Sequence, residues 1–253
     1  APGYDRHFRV SQSFGMELIP ISMTPDGPDM DAVEAAVRDP AVKGIWCVPK
    51  YSNPQGIVYS DAVVDRLAAL RPAAPDFALM WDNAYCLHEV YGQFVPFRDM
   101  LTLCREAGNA DMVYEFASTS KITFPGAGVA VMAASEANLK YLSGLLGAQT
   151  ISYDKVNQLR HVRFLQDKAH VLELMQRHAA ILRPKFEAVL AALRGIAPLG
   201  IASWTEPKGG YFVSCDAMPG TAKRTLALCA GAGVTMTPAG ATYPGGNDPD
   251  DSN

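Results

Sequence analysis

Short apolar segments alternate with amphipathic segments along the first half of the chain, and this alternation constrains the fold more than any other feature. Residues 44–49, 77–82 and 111–117 are apolar runs with the length and composition of buried strands. Between them apolar residues recur at helical spacing, for example after Ser60, which is a plausible helix N-cap. Strands separated by amphipathic helices predict an α/β fold, with a mostly parallel sheet covered by helices on both faces.

The other predicted elements extend this sheet and add a smaller α/β domain. We predict further strands at 15–21 and 129–133 and helices at 29–38 and 97–107. Residues 155–194 are helix-rich, with a break or a new first turn at Pro184 and one apolar stripe made of Val162, Leu165, Ala169, Leu172 and Met175. Beyond them we predict strands at 201–205, 211–215 and 234–237 and a helix at 221–232. The predicted division is a partial large domain (1–155) and an interdomain helix with a partial small domain (156–253).

Composition argues against several kinds of partner. The 253 residues carry a net charge of −4 and contain no basic run, so nothing indicates a nucleic acid partner. No apolar run reaches the roughly 20 residues that span a membrane. The five cysteines are odd in number and widely spaced, without a zinc-type pair, so we expect reduced thiols and a cytoplasmic protein.

Three polar clusters each follow a predicted strand, which is where ligands bind in open α/β sheets. They are residues 51–56 (YSNPQG), 81–85 (WDNAY) and 118–121 (STSK). Each alone has an ordinary explanation: a turn, a capping aspartate, or an exposed loop lysine. Their order, at the roughly 30 to 40 residues that successive βα units need, predicts one shared site.

The residue types in these clusters suit an aromatic phosphate ligand. A lysine beside a buried strand can be partly desolvated, which would make Lys121 a nucleophile toward carbonyls, and the hydroxyls of residues 118–120 could bind a phosphate. Asp82 could hold a protonated ring nitrogen through a charge-assisted hydrogen bond. Tyr85 could donate its hydroxyl to a phenolic oxygen, and Asn53 presents an amide into the same crevice.

The phrases at residues 51–56, 82–88 (DNAYCLH) and 118–121 together resemble the fold-type I, or class I/II, aminotransferases that depend on pyridoxal 5'-phosphate (PLP). Within that class the chain is most similar to the bacterial type Ic aspartate aminotransferases, also called the MocR-like group. The resemblance implies that Lys121 carries the cofactor as a Schiff base and later acts as general acid and base. It implies that Asp82 pairs with the pyridinium nitrogen, and that Asn53 and Tyr85 bind the phenolic oxygen.

The phosphate site is where the sequence departs from this family. The resemblance implies that Ser118 binds the phosphate and that Ser120 assists. Many relatives place an arginine eight residues after the lysine, but here that position is Val129. The charge of the phosphate must then be neutralised by other groups.

The resemblance also implies a reaction and an assembly. We expect ping-pong transfer of an amino group between an amino acid, aspartate or glutamate, and a 2-oxo acid, in a homodimer. Residues 209–212 (GGYF) resemble a turn near the substrate. Family members usually add an N-terminal portion with a phosphate loop and a stacking aromatic, and an arginine after a segment like 238–244. We therefore expect this chain to be a fragment lacking both, and to be inactive alone.

Two other functions remain open. One is a PLP-dependent C–S lyase on the same scaffold; the other is the effector-sensing domain of a transcription regulator. A metal enzyme is disfavoured, because Cys86 and His88 have no third ligand at metal spacing and are expected to pack in the core. His161, His170 and His178 are expected at solvated helix positions.

Overall fold

The computed structural model describes residues 2–253. Its helices are α1 Asp5–Ser13, α2 Met30–Ala36, α3 Asp61–Ala68, α4 Met100–Glu106, α5 Glu136–Gln149, α6 Lys155–Leu165, α7 Lys168–Ile196 and α8 Ala222–Gly231. Its strands are β1 Met23–Thr24, β2 Gly27–Pro28, β3 Gly44–Cys47, β4 Ala78–Asp82, β5 Val113–Ser118, β6 Ala130–Ala134, β7 Ala202–Trp204 and β8 Cys215–Ala217. Within this part of the chain, no helix is both long and apolar enough to cross a bilayer.

A four-stranded sheet forms the centre of the fold, in the order β3-β4-β5-β6. Strands β3, β4 and β5 are parallel, and β6 runs antiparallel to β5. Helices α3 and α4 connect the parallel strands, whereas only a short loop with one 3-10 turn, Thr119–Lys121, joins β5 to β6. Such a loop is too short for a parallel crossover, so β6 turns back. The predicted α/β class is confirmed, with one antiparallel edge strand.

The core lies between this sheet and helices α2, α3 and α4. Leu79, Trp81 and Val113 of the sheet are fully buried against Val64 and Leu67 of α3. Side chains cap all three helices at the N-terminus, as Ser60 does by accepting from the Val63 amide. The predicted helices in this region are confirmed, and the three strands end at the polar clusters.

Four predictions of local structure were wrong. Of the strand predicted at 211–215 only Cys215 lies in a strand, because β8 is Cys215–Ala217. Residues 15–21 form no strand, because Gly15 adopts a turn with a φ of 73° and the residues after it have no regular secondary structure. Residues 234–237 likewise have no strand partner in the described part of the chain, and Val234 and Met236 are exposed. Pro184 does not break α7, which continues through it to Ile196. Buried side chains before and after the proline offset the hydrogen bond lost there.

Helices α6 and α7 pack against the turn that carries Lys121. Ile122 is buried with Leu174 and Met175 of α7, and Leu165 of α6 packs against them. Val162, predicted on the same stripe, is exposed because α6 turns that face outward. Strands β7 and β8 form a separate antiparallel pair. The division at residue 155 stays a prediction.

Candidate active site

The loops after β3, β4 and β5 meet at the carboxyl edge of the sheet, around the ring of Tyr85. Lys121 follows β5 in the 3-10 turn, and its Nζ lies 4.9 Å from the centroid of the Tyr85 ring. Tyr85 is buried, whereas the Lys121 side chain is exposed among the described residues. The described residues therefore do not bury the Lys121 side chain, although the sequence predicted that its amine is partly desolvated.

Asn53 and Asp82 reach the same ring from the other two loops. Burial raises the pKa of the Tyr85 hydroxyl, and the nearby charge of Asp82 raises it further. A hydrogen bond from the Asn53 side chain opposes that rise. Tyr4 is close enough to add to it. An amine, a carboxylate and an amide from three loops thus lie near the phenol of Tyr85.

Asp82 has a partner that the sequence motifs did not reveal. His7, on α1, places its Nε2 2.8 Å from the Asp82 Oδ2, and its side chain is only 10% exposed. Its ring stacks on Trp46 of β3 at 4.3 Å and 7°. The Trp46 indole in turn donates to the Ser11 hydroxyl of α1 at 3.1 Å. The only sign of His7 in the sequence is its spacing of three residues from Tyr4, which places the two side chains next to each other.

The hydroxyl groups of the three residues before Lys121 make two different kinds of contact. Ser118 Oγ donates to Ser120 Oγ at 2.8 Å and accepts from the Ser120 amide at 3.1 Å. Thr119 Oγ1 instead accepts from the Val129 amide at 2.8 Å, which closes the loop on itself. Of the three hydroxyls expected to face a phosphate, Ser118 and Ser120 form one pair and Thr119 is used structurally.

Gly128 allows this loop to close. A Cβ on Gly128 would lie 2.2 Å from the Ser120 Oγ and 2.8 Å from its amide nitrogen. Any side chain there would displace Ser120, because those distances are far below van der Waals contact. The turn at residues 126–128 therefore keeps the serine pair in position.

Two histidines in this region are buried. His88 is 2% exposed, as the expectation of core packing required. His161 is also buried, which corrects the expectation of a solvated helix position. Its Nε2 lies 2.8 Å from the Thr123 hydroxyl, because α6 packs directly on the loop after Lys121. Across residues 2–253, no three His, Cys, Asp or Glu side chains are grouped to hold a metal ion.

The sequence profile of the aspartate amino-transferase family matches residues 1–253. This chain belongs to the aspartate aminotransferase family. An aspartate aminotransferase from Corynebacterium glutamicum is 47% identical over 253 residues, which are all of this chain and 59% of that protein. A Mycolicibacterium smegmatis protein with an aminotransferase name is 51% identical, over all of this chain and 60% of that protein.

Solved structures agree with this membership in the aspartate aminotransferase family. The crystal structure of a C. glutamicum aspartate transaminase superposes with a TM-score of 0.97 at 47% identity, covering 100% of this chain and 60% of that one. The α-aminoadipate aminotransferase LysN from Thermus thermophilus, solved with N-(5'-phosphopyridoxyl)-L-leucine, gives a TM-score of 0.81 at 24% identity, over 99% of this chain and 63% of that one. The latter likeness shows the fold alone. The chain spans about 60% of the length of the curated relatives it matches.

Proposed function

We propose that the protein containing this chain is a PLP-dependent aminotransferase, with Lys121 as the residue that binds the cofactor covalently. One observation carries the proposal: the Lys121 amine, the Asp82 carboxylate and the Asn53 amide converge on the buried ring of Tyr85. The membership in the aspartate aminotransferase family supports it independently.

The groups in the cleft fit PLP. Lys121 offers a primary amine to an aldehyde, and Asp82 offers a carboxylate to a pyridine nitrogen. Tyr85 and Asn53 offer hydrogen bonds to a phenolic oxygen, and the paired Ser118 and Ser120 offer hydroxyls to a phosphate. When bound, PLP supplies a ring that can accept the electron pair left on a substrate carbon.

Residues of this chain would do the remaining work. Asp82, held by His7, would face the ring nitrogen of bound PLP and favour its protonated form. The free amine of Lys121 would be the base that takes the proton from the substrate α-carbon, and it would hold that proton on Nζ and later donate it as the general acid. Tyr85 and Asn53 orient the ring by binding its phenolic oxygen. These roles are proposals that rest on the geometry of the cleft.

The substrates and assembly follow from the family. We propose aspartate or glutamate as amino donor and a 2-oxo acid as acceptor. The 47% identical C. glutamicum protein is named an aspartate aminotransferase, which supports this proposal. We also propose a cytoplasmic homodimer, with a PLP-binding part at residues 1–155 and a smaller part at 156–253. Exposed apolar side chains on α5 and α6 support an interface there: Tyr141, Leu145, Val156, Leu159 and Val162.

The test is transamination by the full-length protein. Purified protein with PLP should transfer the amino group of aspartate to 2-oxoglutarate, and Lys121→Ala should lower kcat by at least about 1,000-fold, because the base and the covalent attachment are both lost. Lys185→Ala, at an exposed lysine of α7, should keep full activity. Pyruvate and ammonia released from a cysteine conjugate, without transamination, would favour the lyase. Binding of PLP and amino acid without turnover would favour an effector-sensing domain.

A further inference from the structure

The main chain of Lys121 is held by two side chains that the proposed mechanism does not use. The Tyr211 hydroxyl donates to the Lys121 carbonyl oxygen at 3.0 Å, and the His88 Nε2 lies 3.3 Å from the same oxygen. A carbonyl oxygen has two lone pairs and can accept both bonds. His88 follows β4 in the large sheet, whereas Tyr211 belongs to the segment between β7 and β8. Two distant parts of the chain therefore meet on one atom.

His88 is suited to donate to this carbonyl. Burial lowers its pKa to about 4, so the ring is neutral near pH 7. A neutral imidazole that donates from Nε2 leaves Nδ1 without a proton, and Nδ1 is buried here without a hydrogen-bond partner in the described chain. The bond to the carbonyl of Lys121 is thus the one polar contact that the buried ring makes in this region.

The segment that carries Tyr211 is docked on the loop of His88 by its backbone. The Gly210 amide donates to the His88 carbonyl at 2.8 Å, and the Val90 amide donates to the Lys208 carbonyl at 2.9 Å. Gly209 permits this close approach, since a Cβ there would lie 2.3 Å from the His88 oxygen and 2.6 Å from the Tyr51 ring. The backbone that carries Tyr211 is therefore fixed relative to the loop of His88, and this places the Tyr211 hydroxyl at the Lys121 carbonyl.

The same rings also contact the ring under the amine. Tyr85 lies 5.5 Å from His88 and 6.1 Å from Tyr211, and His88 lies 5.3 Å from Tyr211, all edge to face. The Lys121 side chain is exposed and flexible, so few side-chain contacts direct its amine. The position of its main chain, relative to the Tyr85 ring, then decides where Nζ can reach.

We propose that Tyr211 and His88 are positioning residues that aim the Lys121 amine by holding its carbonyl oxygen. The inference rests on the proposed function of Lys121. It concerns the step in which Nζ adds to the aldehyde carbon of PLP and one water leaves. Loss of either donor should slow that step without weakening the non-covalent binding of the cofactor, because the phosphate and ring contacts come from other residues.

The experiment measures the rate at which the full-length apoprotein captures PLP covalently, with stopped-flow absorbance as the readout. Tyr211→Phe and His88→Leu should each slow capture about 10-fold, since small misplacements of a reacting group are costly. His88→Gln should restore most of the rate, because its amide nitrogen can donate from nearly the same place as Nε2. Tyr91→Phe is the matched control, since Tyr91 contacts Lys208 and Arg183 of the same region through its ring.

A second ligand distinguishes a misplaced Lys121 amine from a general loss of the binding site. Pyridoxine 5'-phosphate has no aldehyde and cannot be captured, so its dissociation constant reports non-covalent binding alone. Unchanged binding together with slowed capture in Tyr211→Phe is the expected result. Wild-type capture rates in Tyr211→Phe and His88→Leu, or equal weakening of pyridoxine phosphate binding, would overturn the inference and leave the proposed function intact. If wild-type protein captures no PLP at Lys121, both fall.

Discussion

The ionisation of His88 should be visible in the stability of the protein. Its pKa is lowered by burial to about 4 in the folded state, below the unfolded value of about 6.5. The unfolded state therefore binds more protons between these values, and the free energy of unfolding must decrease as the pH falls through this window. The stabilisation is complete above pH 6.5, and roughly 3 kcal/mol of it should be lost by pH 4.

Denaturant titrations between pH 7 and 4 test this, with His88→Gln as the variant. The variant should lose less stability over the window than the wild type, because glutamine does not titrate. Identical slopes for the wild type and His88→Gln would contradict the assignment of a neutral, buried imidazole.

Asp82 is the residue at which a loss of charge should affect turnover more than cofactor capture. Asp82→Asn keeps the shape of the side chain but removes the carboxylate that would stabilise the protonated ring nitrogen and that lies 2.8 Å from the His7 Nε2. A charge-assisted hydrogen bond contributes about 1.5–3 kcal/mol, so we expect kcat to fall about 10- to 100-fold. Asp76→Asn, at an exposed ion pair with Lys43, should have no effect on kcat. Capture of PLP by Lys121 should persist, and its loss would show that Asp82 serves mainly to build the site.

At the scale of elements, the buried ion pair of Lys50 and Glu89 joins the loops after β3 and β4. Both side chains are nearly inaccessible, 3% and 4% exposed. Lys50 also donates to the carbonyls of Cys86 and Val95, at 3.0 and 2.7 Å. The pair thus fixes the loop of Asn53 relative to the loop of Tyr85, two residues that must act together.

Breaking this pair should be costly. Lys50→Met leaves the Glu89 carboxylate buried without its partner, and we expect the free energy of unfolding to fall by about 3–5 kcal/mol. Lys43→Met removes an ion pair with Asp76 at the surface, where solvent screens the charges, and should cost much less. Chemical denaturation measures both. Equal effects of the two substitutions would mean that the buried pair contributes no more than a surface one.

The sequence correctly predicted those elements whose local residue pattern matches their burial in the folded chain. Strands β3, β4 and β5 are apolar runs that the sheet buries, and Ser60 caps α3 as its position indicates. The apolar run at 15–21 has the composition of a strand, but strand pairing depends on a partner that local pattern does not specify. Pro184 shows the converse, since packing on both sides of it overrides a local signal that predicts a break.

The site was predictable as far as its residues lie in motifs. Lys121, Asp82, Asn53 and Tyr85 stand at strand ends, and the parallel sheet brings strand ends together. His7 lies outside those motifs, and only tertiary packing brings it beside Asp82. Tyr211 belongs to the turn at 209–212 that was expected near the substrate, but its local sequence does not reveal the hydrogen bond to the Lys121 carbonyl.

At the scale of the whole molecule, helices α5 and α6 expose several large apolar side chains. Val156, Leu159 and Val162 recur along α6, and each is exposed, as is Tyr141 on α5. If this surface is the proposed homodimer interface, Val156→Glu with Val162→Glu should convert dimer to monomer in sedimentation experiments on the full-length protein. Ile181→Glu, at an equally exposed position of α7, should leave the dimer unchanged. A dimer that persists in the double variant would place the interface elsewhere.

The central claim is that three loops of one sheet hold PLP with its aldehyde at Lys121. Borohydride reduction of the full-length protein with PLP, followed by peptide mapping, tests it most directly. We expect the phosphopyridoxyl label on Lys121 and none after Lys121→Arg, with the other lysines unlabelled. A label on a different lysine, or no label on the folded wild-type protein, would contradict the account.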